Sequence, residues 1–263
     1  MKATRDDVVA RALIEDLADR LLRDLRERTP IAPLTSEHPD LTVEEAYRVQ
    51  SHVIEALGGR TAAKLGLTSK AKQRQMNVDS PLSAWLPPGS RLGPGEPLVV
   101  ADLIQPRVEP EIAFVLGKDL TGPTTIAHVL AATERVVPAL DVLDSRFHGY
   151  SFTLPDVIAD NASSARYVTG GPGTPVDGID LRLVGCVFEK NREIVATAAG
   201  AAVPDPPATA VSLFAGELAS RGESLPAGTT VLAGALTAAI AVEPGDVVRA
   251  TFDRVGAVEV TCR

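Results

Sequence analysis

Cysteine is nearly absent: Cys186 and Cys262 stand far apart, each in an apolar, strand-like setting and with no CxxC pair, so neither a disulfide framework nor a thiolate zinc or redox site is offered. A reducing cytoplasm is the expected compartment. Aromatic residues make up only 4% of the chain, while 21 Gly and 20 Pro punctuate it, which suits a compact fold of many short elements rather than a helical bundle. The Gly and Pro follow no period, which excludes a collagen-like or linker reading. No apolar run approaches the roughly 18 residues that a membrane span needs. The charged opening MKATRDD carries neither a signal nor a transit peptide. Positive charge is also in deficit: the formal net charge of -8 repels phosphate backbones, so nucleic acid is not an expected partner, and an anionic substrate needs a local cation.

What is present is a 263-residue chain that is 45% hydrophobic, enough to bury a sizeable core. Val9, Leu13, Leu17, Leu21 and Leu25 lay an apolar stripe along a helix from Asp6 to about Arg28, read as core or as a contact beyond the monomer. After Pro30 and Pro33, Thr42 and Glu45 form a capping box for a helix carried by Ala46, Val49, Val53, Ile54 and Leu57 and stopped by Gly58-Gly59. Residues 62–86 are mixed, 86–97 form a Pro- and Gly-rich loop, and 98–103 look like a strand. The soft boundary falls there, separating a mostly helical segment, 1–85, from a β-rich domain, 86–263. Strands are expected at 108–116 and 138–143, helices from Ile126 to about Arg135 and from Pro206 to Arg221, and strand-turn-strand units in the last forty residues.

In RVEPEIAFVL, Glu109 and Glu111 are two residues apart, so on a strand both carboxylates leave the same face, with Ala113 and Val115, while Ile112, Phe114 and Leu116 line the other. Two carboxylates side by side in a largely buried sheet share a proton, meet a cation or ligate a metal. A solvated strand face, or pairing with Arg107, is the plainer alternative. PALDVLD supplies Asp141 and Asp144, which fall on opposite faces, so only one joins the pair readily. An all-oxygen set without Cys or His favours a hard cation, Mg²⁺ or Mn²⁺. Lys64, in TAAKLGLTSKAK, has small and apolar neighbours, which reads as a lysine desolvated for proton transfer or as a snorkelling surface lysine.

The blocks KLGLTSKAKQRQMNVDSP, QPRVEPEIAFVL, VVPALDVLDSRF, DVIADNASSARYVTGG and LPAGTTVLAGALTAAIAVEPGD resemble, in order and over most of the chain, the hydratase and decarboxylase branch of the fumarylacetoacetate hydrolase superfamily. SFTLPDVIADNASSARYVTGG looks more like the decarboxylases of that branch. The resemblance implies an α+β fold, a β-rich roll of mixed sheets with an N-terminal helical segment. It also implies a Mg²⁺ or Mn²⁺ ion held by Glu109, Glu111 and Asp141, a catalytic Lys64, and a small 2-oxo acid substrate. Leu65, Ser69, Arg146, Ser163, Arg166 and Thr237 are the residues expected to touch that substrate, with Arg146, Ser163 or Arg166 receiving a second carboxylate.

The chain departs from the branch at several positions. Asp141 stands where Glu is usual, and Leu82 follows Pro81 where the hydratases usually carry an acid, which removes the expected proton handler for water addition. Ser83-Ala84 replace Tyr-Gly, Pro204-Asp205-Pro206 replace Gly-His-Pro, and Arg192 replaces a turn glycine after Asn191. Asp79, Thr68 and Ser69 read as turn and cap residues, with Ser69 also a candidate for the pocket. His148 reads as a base or as an exposed loop residue, and Asp144-Ser145-Arg146 as a self-satisfied Asp-Arg pair or as a substrate-facing loop. Asn161, Ser163 and Ser164 are either turn residues or donors to substrate. The expected activity is decarboxylation of a vinylogous 2-oxo diacid, with hydration or acylpyruvate hydrolysis as the alternative. The expected assembly is a homo-oligomer, with a related hydratase as a further partner.

Overall fold

The structure, a computed structural model, describes residues 5–68, 81–202 and 207–263. The chain opens with α1 (Arg5–Glu27) and α2 (Val43–Ala56). The capping box of α2 forms as its sequence requires: Thr42 Oγ1 accepts from Glu45 N at 3.2 Å, and the Glu45 carboxylate accepts from Thr42 N at 2.9 Å. Gly58 and Gly59 follow with φ of 100° and 92°, which closes the helix. In α1 the buried set is Ile14, Leu17, Ala18 and Leu21, while Leu13 and Leu25 are only partly covered. A strict four-residue spacing drifts about 40° per step against the 3.6-residue turn, so Leu13 and Leu25 move to the edge of the buried face and Ile14 and Ala18 enter it. That face packs within the chain, on α2 and on Leu34, Phe147 and Ile158.

Among the described residues, eleven strands form two sheets. β1 (Ala62–Gly66), β2 (Leu82–Leu86), β3 (Arg107–Leu116), β4 (Thr133–Leu143), β5 (Ser164–Thr169) and β8 (Thr230–Ala235) join in the order β2-β1-β8-β3-β4-β5, with β9 (Ile240–Ala241) added to β3. β6 (Gly185–Lys190), β7 (Glu193–Ala199), β10 (Val247–Phe252) and β11 (Gly256–Thr261) make the second sheet, ordered β11-β10-β6-β7. Ile112, Phe114 and Leu116 from β3 meet Phe188, Val248 and Phe252 from the second sheet in the main core, which α3 (Ile126–Ala132) and α5 (Pro207–Ser220) also cover. A short α4 (Leu154–Ala159) leads into β5. These mixed sheets with an N-terminal helical segment are the expected α+β roll.

Three expectations change. The mixed stretch after Ala62 supplies β1 and β2, and β1 runs parallel to β8 with Lys64 level with Leu232. Residues 98–103 are not a strand: Leu98 makes one bridge to Cys262, and Val100–Asp102 then close a 3₁₀ turn, with Asp102 N donating to Val99 O at 3.1 Å. Leu98 N and Val100 N donate to Thr261 O and Arg263 O, both at 2.8 Å, before the 3₁₀ turn redirects the chain. The helix from Ile126 stops at Ala132, because the segment from Thr133, with β-branched Thr133, Val136 and Val137, forms β4 opposite β3. Both cysteines are free and buried, and burial pushes their thiols up, to about 12 for Cys186 and about 11 for Cys262. Among the described residues no helix is long and apolar enough to cross a membrane.

Candidate metal centre

The carboxylates come from two central strands. β3 and β4 pair antiparallel with Glu109 opposite Asp141 and Glu111 opposite Ala139, so strand alternation sends all three acids to one face. One oxygen from each of Glu109, Glu111 and Asp141 lies within 4.8 Å of the others, and all three residues are buried. Ala113, Val137, Ala139, Tyr167 and Leu232 surround them with apolar side chains on that face. A solvated strand face is therefore not what this sheet presents. Arg107, the alternative ion partner, instead lies over the Tyr150 ring at 4.0 Å.

Lys64 reaches the cluster from β1. Its Nζ is 2.6 Å from Asp141 Oδ2 and donates to Ala162 O at 3.0 Å, and the residue is only 2% exposed. Burial alone pulls its ammonium down, but Asp141 and Glu109 outweigh burial and hold it above the usual lysine range. Glu111 is driven the other way, well above the usual carboxylate range, first by burial and then by its neighbours Asp141 and Glu109.

Glu111 is anchored by the backbone. β8 bulges between its pairings of Ala235 with Glu111 and Leu232 with Ala113, which turns Gly234 N toward Glu111 Oε2 at 2.7 Å. Gly234 has φ 106°, and a Cβ there would lie 2.2 Å from Thr68 Oγ1, so only glycine serves. A glycine inside a strand pattern signals such a bulge, although the sequence does not say which carboxylate its N–H meets.

The lysine's second acceptor sits on a strained turn. Asn161, Ala162 and Ser163 all lie in the left-handed region, with φ of 51°, 51° and 54°. Each non-glycine residue there costs on the order of 1 kcal/mol, so the surroundings must hold the turn. The Asn161 side chain does so from both ends, accepting from Trp85 N at 3.1 Å and donating to Trp85 O at 2.7 Å. Ser163 Oγ donates to Asp160 Oδ2 at 3.0 Å. No side-chain chemistry in the sequence marks Ala162, because its contribution is a carbonyl.

The remaining expected residues divide. Thr237 is two residues beyond Ala235, which pairs with Glu111, and its hydroxyl donates to Ala238 O at 3.2 Å. Ser163 adjoins Ala162, with its hydroxyl committed to Asp160. Leu65 turns to the opposite face from Lys64 and is buried in the main core. Ser69, Asp79 and Pro204-Asp205-Pro206 lie outside the described residues. Asp144 does not join the triad: Gln105 N donates to it at 2.7 Å and Ile104 N at 2.9 Å. The expected Asp144-Arg146 pair is replaced by a buried Arg146-Asp160 ion pair, and Asp144 gives Arg146 only its backbone carbonyl, at 3.1 Å. Arg166 donates to Ala165 O at 3.0 Å, and His148 is exposed on a 3₁₀ turn.

The donor set suits a hard divalent cation. It is all oxygen, it carries more negative charge than Lys64 offsets, and Glu111 Oε1 and Asp141 Oδ1 are buried with no hydrogen-bond partner among the described residues. Residues 52–263 match the fumarylacetoacetate (FAA) hydrolase C-terminal family. The chain is 42% identical over 248 residues to a 4-oxalocrotonate decarboxylase of Pseudomonas sp. (strain CF600), covering 92% of each. It is 40% identical over 249 residues to a 2-keto-4-pentenoate hydratase of Paraburkholderia xenovorans (strain LB400), covering 93% of each. A solved 4-oxalocrotonate decarboxylase from Pseudomonas putida G7, complexed with magnesium and adipate, superposes with a TM-score of 0.91 at 37% identity, over 96% of this chain and 98% of that one.

Proposed function

The chain belongs to the fumarylacetoacetate hydrolase family, and we propose that it is a divalent-metal-dependent carbon–carbon lyase that decarboxylates a vinylogous 2-oxo diacid of the 4-oxalocrotonate type. The observation that carries this reading is the buried triad of Glu109, Glu111 and Asp141 with unanswered oxygens beside a buried lysine. The likeness to a decarboxylase complexed with magnesium supports Mg²⁺, or the similarly hard Mn²⁺, as the ion, and the convergence of three buried carboxylates supports those residues as its holders. When bound, such an ion supplies Lewis-acid polarisation of the substrate's 2-oxo group.

The chain's own groups do the rest. Lys64, fixed between Asp141 and Ala162 O, keeps positive charge where the electron pair of the breaking C–C bond accumulates as CO₂ departs, and it delivers the proton that quenches the resulting enolate. Apolar neighbours of the cluster keep competing water from that carbanion-like species. Ser163 and Thr237 remain the proposed substrate contacts; Leu65 and Arg146 have structural duties that weigh against that role. Leu82, buried in the helical core directly after Pro81, offers no acid to activate water, which favours decarboxylation over hydration.

A helical segment, 1–85, that delivers Lys64 to a β-rich metal-binding domain, 86–263, is part of the same proposal. So are a cytoplasmic location, which two free buried thiols suit, and a homo-oligomer that accepts a related hydratase. Leu17 and Leu21 of the α1 stripe pack inside the chain and so do not speak for assembly, whereas exposed Leu183, Ile194 and Val195 do.

The deciding experiment supplies a 2-hydroxymuconate-type diacid and an acylpyruvate to the Mg²⁺-loaded protein and follows CO₂ release, water addition and C–C hydrolysis separately. CO₂ release that stops with chelator is expected. Turnover undiminished by chelator, or water addition as the main product, overturns the assignment.

A further inference from the structure

The same turn that presents Ala162 to Lys64 has a second side, facing away from the carboxylates. There, a groove of about 530 Å³ runs between the end of α1, the loop after β2, and β5. Among the described residues, Arg26, Arg28, Arg146 and Arg166 line it with one acid, Asp102, in a chain whose net charge is -8. From this concentration of guanidinium groups we propose that the groove is an oxyanion site, separate from the metal centre, for a small molecule bearing carboxylate or phosphate groups.

The partners of these arginines leave room for such a ligand. Arg26 and Arg166 each donate to a backbone carbonyl, Leu22 O and Ala165 O, both at 3.0 Å, and neither has a carboxylate within ion-pair distance among the described residues. Arg28 meets Asp102 at 2.9 Å, but half of each side chain is exposed, so water screens the pair and it yields readily to a stronger anion. Arg146 forms the buried floor and is held in place by Asp160. The acids behind the groove do not neutralise it freely: Asp144 is engaged by the N–H groups of Ile104 and Gln105, and Asp160 by Arg146 and Ser163.

A hydroxyl completes the site. Ser164 lines the groove, is only 8% exposed, and its Oγ has no hydrogen-bond partner among the described residues. A buried donor left unanswered beside guanidinium groups is matched by an anionic oxygen, which accepts from both. The volume falls within the roughly 300–1,000 Å³ typical of small-molecule sites.

Calorimetric titration of the full chain tests this, after the buffer has passed over a chelating resin, so that an empty carboxylate cluster repels anions. Inorganic phosphate and succinate are the probes, at ionic strength held constant with chloride. Saturable binding of either is expected, and which one binds tighter identifies the head group. Arg166→Gln should weaken it about tenfold or more, the loss of one charge-assisted hydrogen bond, and Ser164→Ala severalfold, while Glu109→Gln leaves it unchanged. The proposal falls if neither probe binds saturably, or if both groove variants bind as the wild type does. It also falls if sedimentation finds Arg166→Gln dissociating an oligomer, because a second copy of the chain then fills the groove.

Discussion

Two buried cation-carboxylate pairs flank one strained turn, and they differ in how completely they are answered. Asp160 Oδ1 is met by Arg146 Nε in the ion pair alone, Oδ2 accepts from Ser163 and Ser145, and Arg146 spends its remaining donors on carbonyls. Lys64, ion-paired with Asp141, faces two further carboxylates, and Glu111 Oε1 and Asp141 Oδ1 have no partner among the described residues. Burial of charge is common to both regions. Saturation separates them: a satisfied network holds structure, whereas surplus charge of one sign with bare oxygens is stable only with something further bound.

The contrast is sharpest under substitution. Glu111→Gln should lower Mg²⁺-dependent turnover about 10³-fold or more and abolish metal binding by calorimetry, yet raise the melting temperature of the metal-free protein, since it removes a carboxyl whose ionisation burial and its acidic neighbours oppose. A lowered melting temperature would make this site a structural network like the other. Asp160→Ala should cost about 3–5 kcal/mol in urea unfolding, because it strands the buried Arg146, and a loss near zero would break the distinction from the opposite side.

The acid dependence follows from the same pair. Burial pushes Asp160 up to about 6 against the pull of Arg146. Between the unfolded value near 4 and that figure the native state binds a proton that the unfolded chain has lost, so stability falls as pH rises from about 4 to about 6, by about 2–3 kcal/mol. Asp160→Asn should remove this part of the pH slope in denaturation curves; an unchanged slope assigns it elsewhere.

Smaller effects probe the turn between the pairs. Asn161→Ala, which releases both Trp85 contacts, should cost about 1–3 kcal/mol and lower turnover while metal affinity holds, because it frees Ala162 O and hence Lys64 without touching the carboxylates. Equal losses in metal affinity and turnover would deny the turn that selective role. The smallest change belongs to a site remote from both pairs: Arg192, at φ 69° in the two-residue turn from β6 to β7, should gain about 0.5–1 kcal/mol as Arg192→Gly, with turnover unaffected.

Much of this was legible from residue spacing. The period of two in Glu109-Pro110-Glu111 makes two carboxylates share a strand face whatever the surrounding fold, and the Thr42-Glu45 spacing specifies a cap from local geometry alone. Asp141 and Lys64 were candidates from their local sequence, with Asp144 and a snorkelling surface lysine as the open alternatives; the family resemblance chose between them, and strand pairing brings them to the same face. The short strands β1 and β2 were not legible, because five residues of mixed character are stabilised by their neighbours in the sheet rather than by their own pattern. Arg146 read as a substrate ligand or as the partner of Asp144, since sequence proximity favours Asp144 and gives no hint of Asp160, fourteen positions away.

By itself, the sequence determined the local facts: which residues can cap, which side chains share a strand face, which backbone positions tolerate only glycine, and which atoms are able to hold a hard cation. Only the tertiary structure decided which of those groups are answered and which are left over. Whether a buried oxygen has a partner depends on atoms distant in sequence, such as Gly234 N for Glu111 and Ala162 O for Lys64, and hydrogen-bond saturation is a property of the packed whole.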